Sequence, residues 1–195
     1  MNETFGKRIE RVVESTFGGD TSRGRRPGER RAEERLPGSG TPRLRIALGS
    51  DHRGATLKRQ LAEYLRELGH MVVDCGAREG GPSDYPDIAL GVAGQVVQQA
   101  CDFGIVIDAV GVGSAIAANK VRGIRAAPCY DVEAARSSRL HNDANVLTLG
   151  ANFLNRGLAR RIVREWLTTP FEGGRHVPRL EKIGKIEKDG LDARL

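Results

Sequence analysis

The chain of 195 residues is long enough for one domain with a full hydrophobic core and an additional extension. No apolar run approaches the roughly 20 residues needed to cross a membrane, and the charged N-terminus lacks the apolar segment of a signal peptide. We therefore expect a soluble, cytoplasmic protein with no membrane partner.

The net charge of +6 is weak evidence for a nucleic-acid partner. Residues 1–44 carry ten Lys and Arg against seven Asp and Glu, so half of the excess belongs to the N-terminal part. Aromatic residues do not alternate with the basic ones as they do in a base-stacking surface. No nucleic-acid partner is predicted.

The composition predicts no cofactor and no metal site. The three cysteines, Cys75, Cys101 and Cys129, are widely spaced, which indicates buried free thiols rather than disulfides or a CxxC metal site. The glycine loop AVGVGS at 109–114 could bind an anion through its backbone amides. It is neither a GxxxxGK[ST] loop nor a complete GxGxxG motif, so nucleotide binding is not expected.

The first predicted element is an amphipathic helix over residues 1–19. Such a helix either packs on its own domain or a sister subunit, or acts as a docking peptide. A membrane-surface helix is the least favoured interpretation, because the polar face has no excess of Lys and Arg. Its apolar positions recur at helical spacing: Phe5, Ile9, Val12, Val13 and Phe17. The segment resembles the encapsulation peptides that carry enzymes into bacterial microcompartments.

Residues 20–42, DTSRGRRPGERRAEERLPGSGTP, form the second predicted segment. They are rich in Gly, Pro, Ser and charge and almost free of apolar residues, so they cannot offset the entropy cost of ordering. We expect a disordered linker here, followed by the main domain at residues 43–195.

From Leu44 onward, short apolar strands alternate with amphipathic helices. The helices are predicted to begin near Arg53, Pro86, Gly113, Val132 and Asn155. Five strands joined by helical crossovers predict an α/β fold with a parallel sheet covered on both faces. The predicted strands are LRIALGS (44–50), MVVDCG (71–76), FGIVID (103–108), IRAAPCY (124–130) and NVLTLG (145–150).

Polar residues concentrate at the ends of these strands, where ligands bind in open parallel sheets. Three of the four histidines belong to such clusters, and we expect them at one edge of the sheet, which favours a functional site. The clusters are Asp51-His52, Asp84-Tyr85-Pro86, Asp108 with Gly111 and Gly113, His141-Asn142-Asp143, and the tail that contains His176.

The tail segment EGGRHVPRLEKI, residues 172–183, places Arg175, His176 and Arg179 together after a Gly-Gly turn. Guanidinium groups are fork-shaped donors that suit phosphate recognition. A solvated basic patch is the alternative interpretation of this cluster.

Five motifs occur in order along the chain: SDHRG (50–54), SDYPDIA (83–89), GVGSAIAANK (111–120), RLHNDANVLTLG (139–150) and EGGRH (172–176). Together they resemble the family of ribose-5-phosphate isomerase B and the galactose-6-phosphate isomerase subunits. The resemblance covers about residues 44–190. It implies a Rossmann-like three-layer sandwich with a five-stranded parallel sheet, which acts without metal as a homodimer or tetramer with shared active sites.

The resemblance also implies a reaction. An aldose phosphate and a ketose phosphate, most simply ribose 5-phosphate and ribulose 5-phosphate, would be interconverted through an enediolate. His141 would open the sugar ring, and amides around Gly111 and Gly113 would stabilise the enediolate.

Further residues are implied to bind the substrate. Asp51, placed with the catalytic residues, and Asn142 would hold sugar hydroxyls, and Tyr85 would line the pocket. His176 and Ser114 are included among the substrate-binding residues. The implied phosphate ligands are His52, Arg139, Arg175 and Arg179.

The chain departs from the family pattern at the base. Most ribose-type members have a catalytic cysteine at the position of Asp108, others have a glutamate at the position of Ser114, and a hydroxyl residue is expected at Val110. The string GIVIDAVGVGS is instead similar to the A subunit of galactose-6-phosphate isomerase. Asp108 is thus a replacement base, a cap of the helix that starts near Gly111, or the mark of a chain without turnover of its own.

The leading hypothesis is a sugar-phosphate isomerase in which Asp108 replaces the usual cysteine base. The alternative is a galactose-6-phosphate isomerase A-like subunit or a non-catalytic sugar-phosphate-binding protein. The docking interpretation of residues 1–19 would add the shell or core of a microcompartment as a partner.

Overall fold

The computed structural model describes residues 42–76 and 83–190. The predicted amphipathic helix of residues 1–19 lies outside the described residues, and so does the predicted linker except for Pro42. The structural statements below concern the described ranges.

A five-stranded parallel sheet forms the centre of the fold, as the sequence predicts. Its strands are β1 (Arg45–Ser50), β2 (Met71–Asp74), β3 (Phe103–Asp108), β4 (Ala126–Pro128) and β5 (Val146–Gly150), in the order β2-β1-β3-β5-β4. β4 is shorter than its predicted seven residues. It pairs only with β5, at the edge of the sheet, and it ends at Pro128, which has no N–H to continue a ladder.

The described residues form six helices. They are α1 (Ala55–Glu67), α2 (Tyr85–Val97), α3 (Val112–Ala118), α4 (Val132–Asn142), α5 (Arg156–Thr168) and α6 (Val177–Asp189), the last preceded by a 3-10 turn at Gly174–His176. The first five begin within two residues of the predicted starts. Side-chain caps fix two of these starts: Asp131 accepts from the amide of Ala134, and Asn155 from that of Leu158. Helix α6 was not predicted.

Alternating side chains of the strands build two cores, one on each face of the sheet. Ile46 and Leu48 point to the face that α1 and α5 cover, where Trp166 is fully buried. Ala47 and Val106 point to the opposite face, which is covered by α2 and α3. The predicted three-layer sandwich is therefore confirmed. None of the described helices is long and apolar enough to cross a membrane.

Candidate active site

The carboxyl ends of β1 and β3 place two aspartates side by side. Asp51 follows β1, and its amide donates to the carbonyl of Ile107 in β3 at 3.1 Å. Its Oδ1 accepts from the amides of Arg53 and Gly54 at 2.9 and 3.0 Å, which turns the chain into α1. His52 lies exposed in the same turn. Asp51 and Asp108, each expected at a strand end, therefore lie at the ends of neighbouring strands on the same edge of the sheet.

Asp108 is the anchor of the glycine loop between β3 and α3. Its Oδ1 accepts from the amide of Val110 at 2.7 Å and from that of Gly111. Its Oδ2 accepts from the amide of Ser114 at 3.0 Å and from the Ser114 hydroxyl. The loop needs glycine at position 111, where φ is +88° and a Cβ would lie 3.0 Å from the Leu149 carbonyl carbon.

These contacts decide the protonation state of Asp108. Burial raises the pKa of the carboxyl, but the hydrogen bonds from Ser114 and from the amides of Gly111 and Val110 outweigh burial, so the pKa lies below its usual value. A general base needs a pKa nearer to neutrality and a free lone pair. The geometry therefore favours the capping interpretation of Asp108 over the general-base interpretation.

Among the loop amides expected to bind an anion, that of Gly113 is open and that of Gly111 is not. The amide of Gly111, expected to stabilise the enediolate, is already donated to Asp108. Val112 and Gly113, the first two residues of α3, have no hydrogen-bond acceptor for their amides among the described residues. The Tyr85 ring packs on Gly113, where a Cβ would lie 2.8 Å from the ring. Two open amides therefore lie beside an aromatic wall.

Two further side chains hold the loop from outside. Thr148 in β5 donates its hydroxyl to the carbonyl of Gly111 at 2.7 Å, and Tyr130 donates to the carbonyl of Val110 at 2.9 Å. The Tyr130 ring in turn contacts Phe153 edge to face at 5.9 Å. Sequence reasoning missed Tyr130, because it was placed inside the predicted fourth strand rather than after it.

A second cluster forms at the opposite edge of the sheet, where the strands have their amino ends; we call this the amino edge. His141 ends α4, His176 lies in the 3-10 turn, and their rings stack with centroids 4.4 Å apart. Arg175 Nε donates to His176 Nε2 at 3.4 Å, and Arg179 Nη1 lies 3.5 Å from His176 Nδ1. Four residues that the sequence singled out are therefore brought together.

Glu172 completes this cluster and was not singled out from the sequence. Its Oε2 lies 3.8 Å from His141 Nε2 and 3.6 Å from His176 Nε2. Burial, together with the nearby His141 and Arg175, lowers the pKa of His176, so this ring is neutral at pH 7. With its two exposed guanidinium groups, the cluster suits an anionic ligand such as phosphate.

Arg139 is not part of this cluster, which corrects its expected role as a phosphate ligand. Its side chain is 2% exposed, and its Nη1 donates to Asp143 Oδ1 at 2.8 Å and to the Ala144 carbonyl at 2.6 Å. The guanidinium stacks on Phe103 at 4.7 Å. Arg139 therefore belongs to the core beneath α4. Asn142, in contrast, is exposed beside His141 at the end of α4.

The expected histidine cluster at one edge of the sheet is wrong for a single chain. His52 follows the carboxyl end of β1, whereas His141 and His176 lie at the amino edge, because a helix that leads into a parallel strand ends there. The strands between the edges contain five or six residues and span about 17–20 Å. One chain therefore carries two separate half-sites.

The cysteines offer no alternative base. All three are free, Cys101 and Cys129 are buried, and Cys75 is half-buried, which confirms the expected free thiols. Burial raises the pKa of Cys75 to about 12 and those of Cys101 and Cys129 to about 11. These thiols stay protonated at neutral pH.

The chain is similar to known sugar-phosphate isomerases. A family model described as Ribose/Galactose Isomerase matches residues 46–183. Ribose-5-phosphate isomerase B of Escherichia coli is 44% identical over 144 residues, which are 74% of this chain and 97% of that relative. A putative sugar phosphate isomerase of Bacillus subtilis is 43% identical over 149 residues, which are 76% of this chain and 100% of that relative.

A solved structure agrees with the fold described above. The structure of ribose-5-phosphate isomerase B from Clostridium thermocellum superposes with a TM-score of 0.73 at 50% sequence identity. The match covers 74% of this chain and 98% of that chain. The family region therefore begins after the N-terminal extension.

Proposed function

The chain belongs to the ribose/galactose isomerase family, and on this basis we propose that it interconverts ribose 5-phosphate and ribulose 5-phosphate. Membership makes the chain a sugar-phosphate isomerase, and relatives named ribose-5-phosphate isomerase B favour the five-carbon sugar. The observation that carries the proposal is the match over nearly the whole length of those relatives. The non-catalytic alternative receives no support from them.

The reaction needs ring opening, phosphate binding, stabilisation of the enediolate and proton transfer, and we assign each of these to described residues. His141 opens the furanose ring, and Arg175, Arg179 and His52 bind the phosphate. The amides of Val112 and Gly113 stabilise the negative charge of the enediolate, as donors fixed by the fold do for oxyanions. Tyr85, packed on Gly113, forms the adjoining wall of the pocket.

We assign the proton transfer between C1 and C2 to Asp51 rather than Asp108. Asp51 Oδ1 accepts two backbone amides, while its Oδ2 has no hydrogen-bond partner among the described residues. Both oxygens of Asp108 are occupied. A carboxylate oxygen that is free to accept a proton is what a base for a carbon acid requires.

A complete site is proposed to form between two copies of the chain. The half-sites lie at opposite edges of the sheet, so the ring-opening histidine of one copy has to meet the aspartate and loop of another. Exposed apolar side chains around the loop support a covering partner: Val110 (39% exposed), Val112 (43%), Ile116 (57%) and Phe153 (61%). A homodimer or tetramer is therefore expected.

The test is an NMR assay of the purified protein with ribose 5-phosphate, with galactose 6-phosphate as the comparison substrate. Formation of ribulose 5-phosphate at a higher kcat/KM than conversion of galactose 6-phosphate is expected. Equal activity with and without EDTA would agree with proton transfer by side chains alone. Conversion of galactose 6-phosphate only would contradict the five-carbon assignment.

For residues 1–19 we propose a docking role in a bacterial microcompartment, on the basis of their amphipathic pattern alone. Fusing residues 1–42 to a fluorescent protein should recruit it to purified shells. A variant with Ile9 and Val12 replaced by Asp is the matched control. Equal recruitment of both fusions would contradict the proposal.

A further inference from the structure

The cluster of His141, Glu172 and His176 combines two imidazoles and one carboxylate, the donor set of many zinc sites. One ligand atom from each of the three residues lies within 4.8 Å of the others. The sequence contains no metal-ligand spacing here, because the three donors come from the end of α4, the segment after α5 and the 3-10 turn.

The spacing of the donor atoms fits a small transition-metal ion. Zinc binds nitrogen and oxygen ligands at about 2.0–2.2 Å, which separates neighbouring ligands of a tetrahedral ion by about 3.4 Å. Glu172 Oε2 lies 3.6 Å from His176 Nε2 and 3.8 Å from His141 Nε2. The two imidazole rings are stacked with their planes 17° apart, so one ring has to turn before both Nε2 atoms can face the same ion.

The surroundings of His141 suit a ligating role. Its Nδ1 is hydrogen-bonded to Ser137 Oγ at 3.1 Å, which holds the ring and directs Nε2 toward Glu172. Ligating histidines usually have such a partner on the other ring nitrogen. The His176 side chain is 97% buried, and its ring lies against that of His141 at a centroid distance of 4.4 Å.

Two cations oppose metal binding and have to be displaced. Arg175 Nε donates to His176 Nε2, and Arg179 Nη1 lies near His176 Nδ1. Both contacts are long, 3.4 and 3.5 Å, and both side chains are exposed, so Arg175 can leave Nε2 at small cost. A metal would then replace one weak hydrogen bond by three ligand bonds.

We propose that His141, Glu172 and His176 bind one divalent transition-metal ion, such as Zn²⁺, and that this ion inhibits the isomerase. The inhibitory part rests on the proposed function, because a metal on His141 Nε2 removes the group assigned to ring opening. The ion would also join α4 to the segment after α5. It therefore stabilises the folded chain by RT ln(1 + c/Kd), where c is the concentration of free Zn²⁺.

The first experiment measures binding without activity. Zn²⁺ is titrated into the metal-free protein by calorimetry, and Co²⁺ is added to record the absorption of an N/O-coordinated ion. We expect one site per chain with a Kd below about 100 μM and a rise in Tm. Glu172→Gln and His141→Gln should each weaken binding at least about tenfold, and Cys75→Ser should not change it.

The second experiment uses Glu172→Gln as the separating variant, since Glu172 has no assigned role in the reaction. Zn²⁺ should inhibit the wild-type isomerase reversibly, with recovery in EDTA. The inhibition constant of Glu172→Gln, measured relative to the metal-free activity of that variant, should be at least about tenfold higher. Absence of binding, or binding unchanged in both ligand variants, overturns the site. A wild-type protein that binds Zn²⁺ but isomerises no sugar phosphate retains the site and refutes the proposed function.

Discussion

Asp108 anchors the glycine loop, although the family resemblance implies a catalytic residue at its position. The resemblance implies a cysteine at this position in most ribose-type members. In this chain the two carboxylate oxygens of Asp108 accept hydrogen bonds from three amides and a hydroxyl. Sequence alone left its role open, because the pattern Asp-x-x-Gly fits a capping residue and a catalytic one equally well. The capping role and the catalytic role differ in which groups the carboxylate oxygens contact, and only the structure shows these contacts.

Asp108→Asn is expected to destabilise the protein by about 1–3 kcal/mol at pH 7, because the new amide group meets the N–H of Ser114 instead of accepting from it. The folded-state pKa of Asp108 is lowered, so its contribution is complete above the unfolded value near 4 and is lost as pH falls through the folded value. Urea unfolding of both proteins at pH 7 and pH 3 measures this. A difference that stays constant with pH would contradict the anchoring role.

Asp51→Asn is expected to lower kcat by about 10²–10⁴-fold with little change in stability. The asparagine carbonyl can still accept from Arg53 and Gly54, so the turn is kept while the base is removed. Steady-state kinetics and urea unfolding of the same preparation give both quantities. Equal losses of kcat in Asp108→Asn and Asp51→Asn, at a temperature where both variants are folded, would contradict the assignment of Asp51 as the base.

At the scale of elements, the spacing of apolar residues and the positions of turn residues predict most of the fold. The five strands and five of the six helices follow from apolar runs, and their parallel order follows from the helical crossovers. The exceptions have different reasons. β4 lies at the sheet edge and ends at a proline. In α6, Val177, Leu180, Ile183 and Ile186 recur at helical spacing although none is buried, but this stretch is interpreted from the sequence as a phosphate-binding tail.

The misplaced histidines have a topological cause. A residue just before a strand in sequence lies at that strand's amino end, while one just after a strand lies at its carboxyl end. Since all five strands are parallel, these positions are on opposite edges. The prediction groups His52 with His141 because both are near a strand in sequence. It does not distinguish a residue that precedes a strand from one that follows it.

The close packing of α2 on the sheet gives a paired stability prediction. A Cβ on Gly104 in β3 would lie 2.5 Å from Val92 Cγ1 and 3.1 Å from Val146 Cγ2, so Gly104→Ala should cost about 1–3 kcal/mol through overpacking. Gly94, inside α2, has open space around its Cβ position. Gly94→Ala should therefore stabilise by about 0.5–1 kcal/mol. Chemical denaturation of both variants decides the sign of each effect.

At the scale of the whole molecule, the N-terminal extension is separate from the family region. The match to the family begins at residue 46, and residues 46–183 cover the elements from β1 into α6. We expect deletion of residues 1–41 to leave Tm and kcat/KM unchanged. Calorimetry and the isomerase assay on the truncated and full chains test this, and a loss of either would assign the extension a part in the fold or the site.

Under the proposed assignment, the separation of the half-sites makes assembly a condition of activity. The proposed ring-opening histidine and the proposed phosphate ligands Arg175 and Arg179 lie at the amino edge, whereas the proposed base, the open amides and His52 lie at the carboxyl edge. An isolated chain would then bind phosphate but complete no turnover. Activity should fall on dilution below the dissociation constant of the oligomer, together with the mass measured by light scattering.

Mixing two inactive variants tests the shared site directly. Asp51→Asn damages the carboxyl edge and His141→Ala the amino edge, so each homodimer has only defective sites. After subunit exchange in mild denaturant, a mixed dimer contains one site with both defects and one intact site, and statistical exchange restores about a quarter of wild-type activity. The reciprocal mixture of wild type with the Asp51→Asn/His141→Ala double variant should fall to about half of its unmixed activity, because mixed dimers then have no intact site. If both half-sites act within one chain, the first mixture stays inactive and the second keeps its full activity.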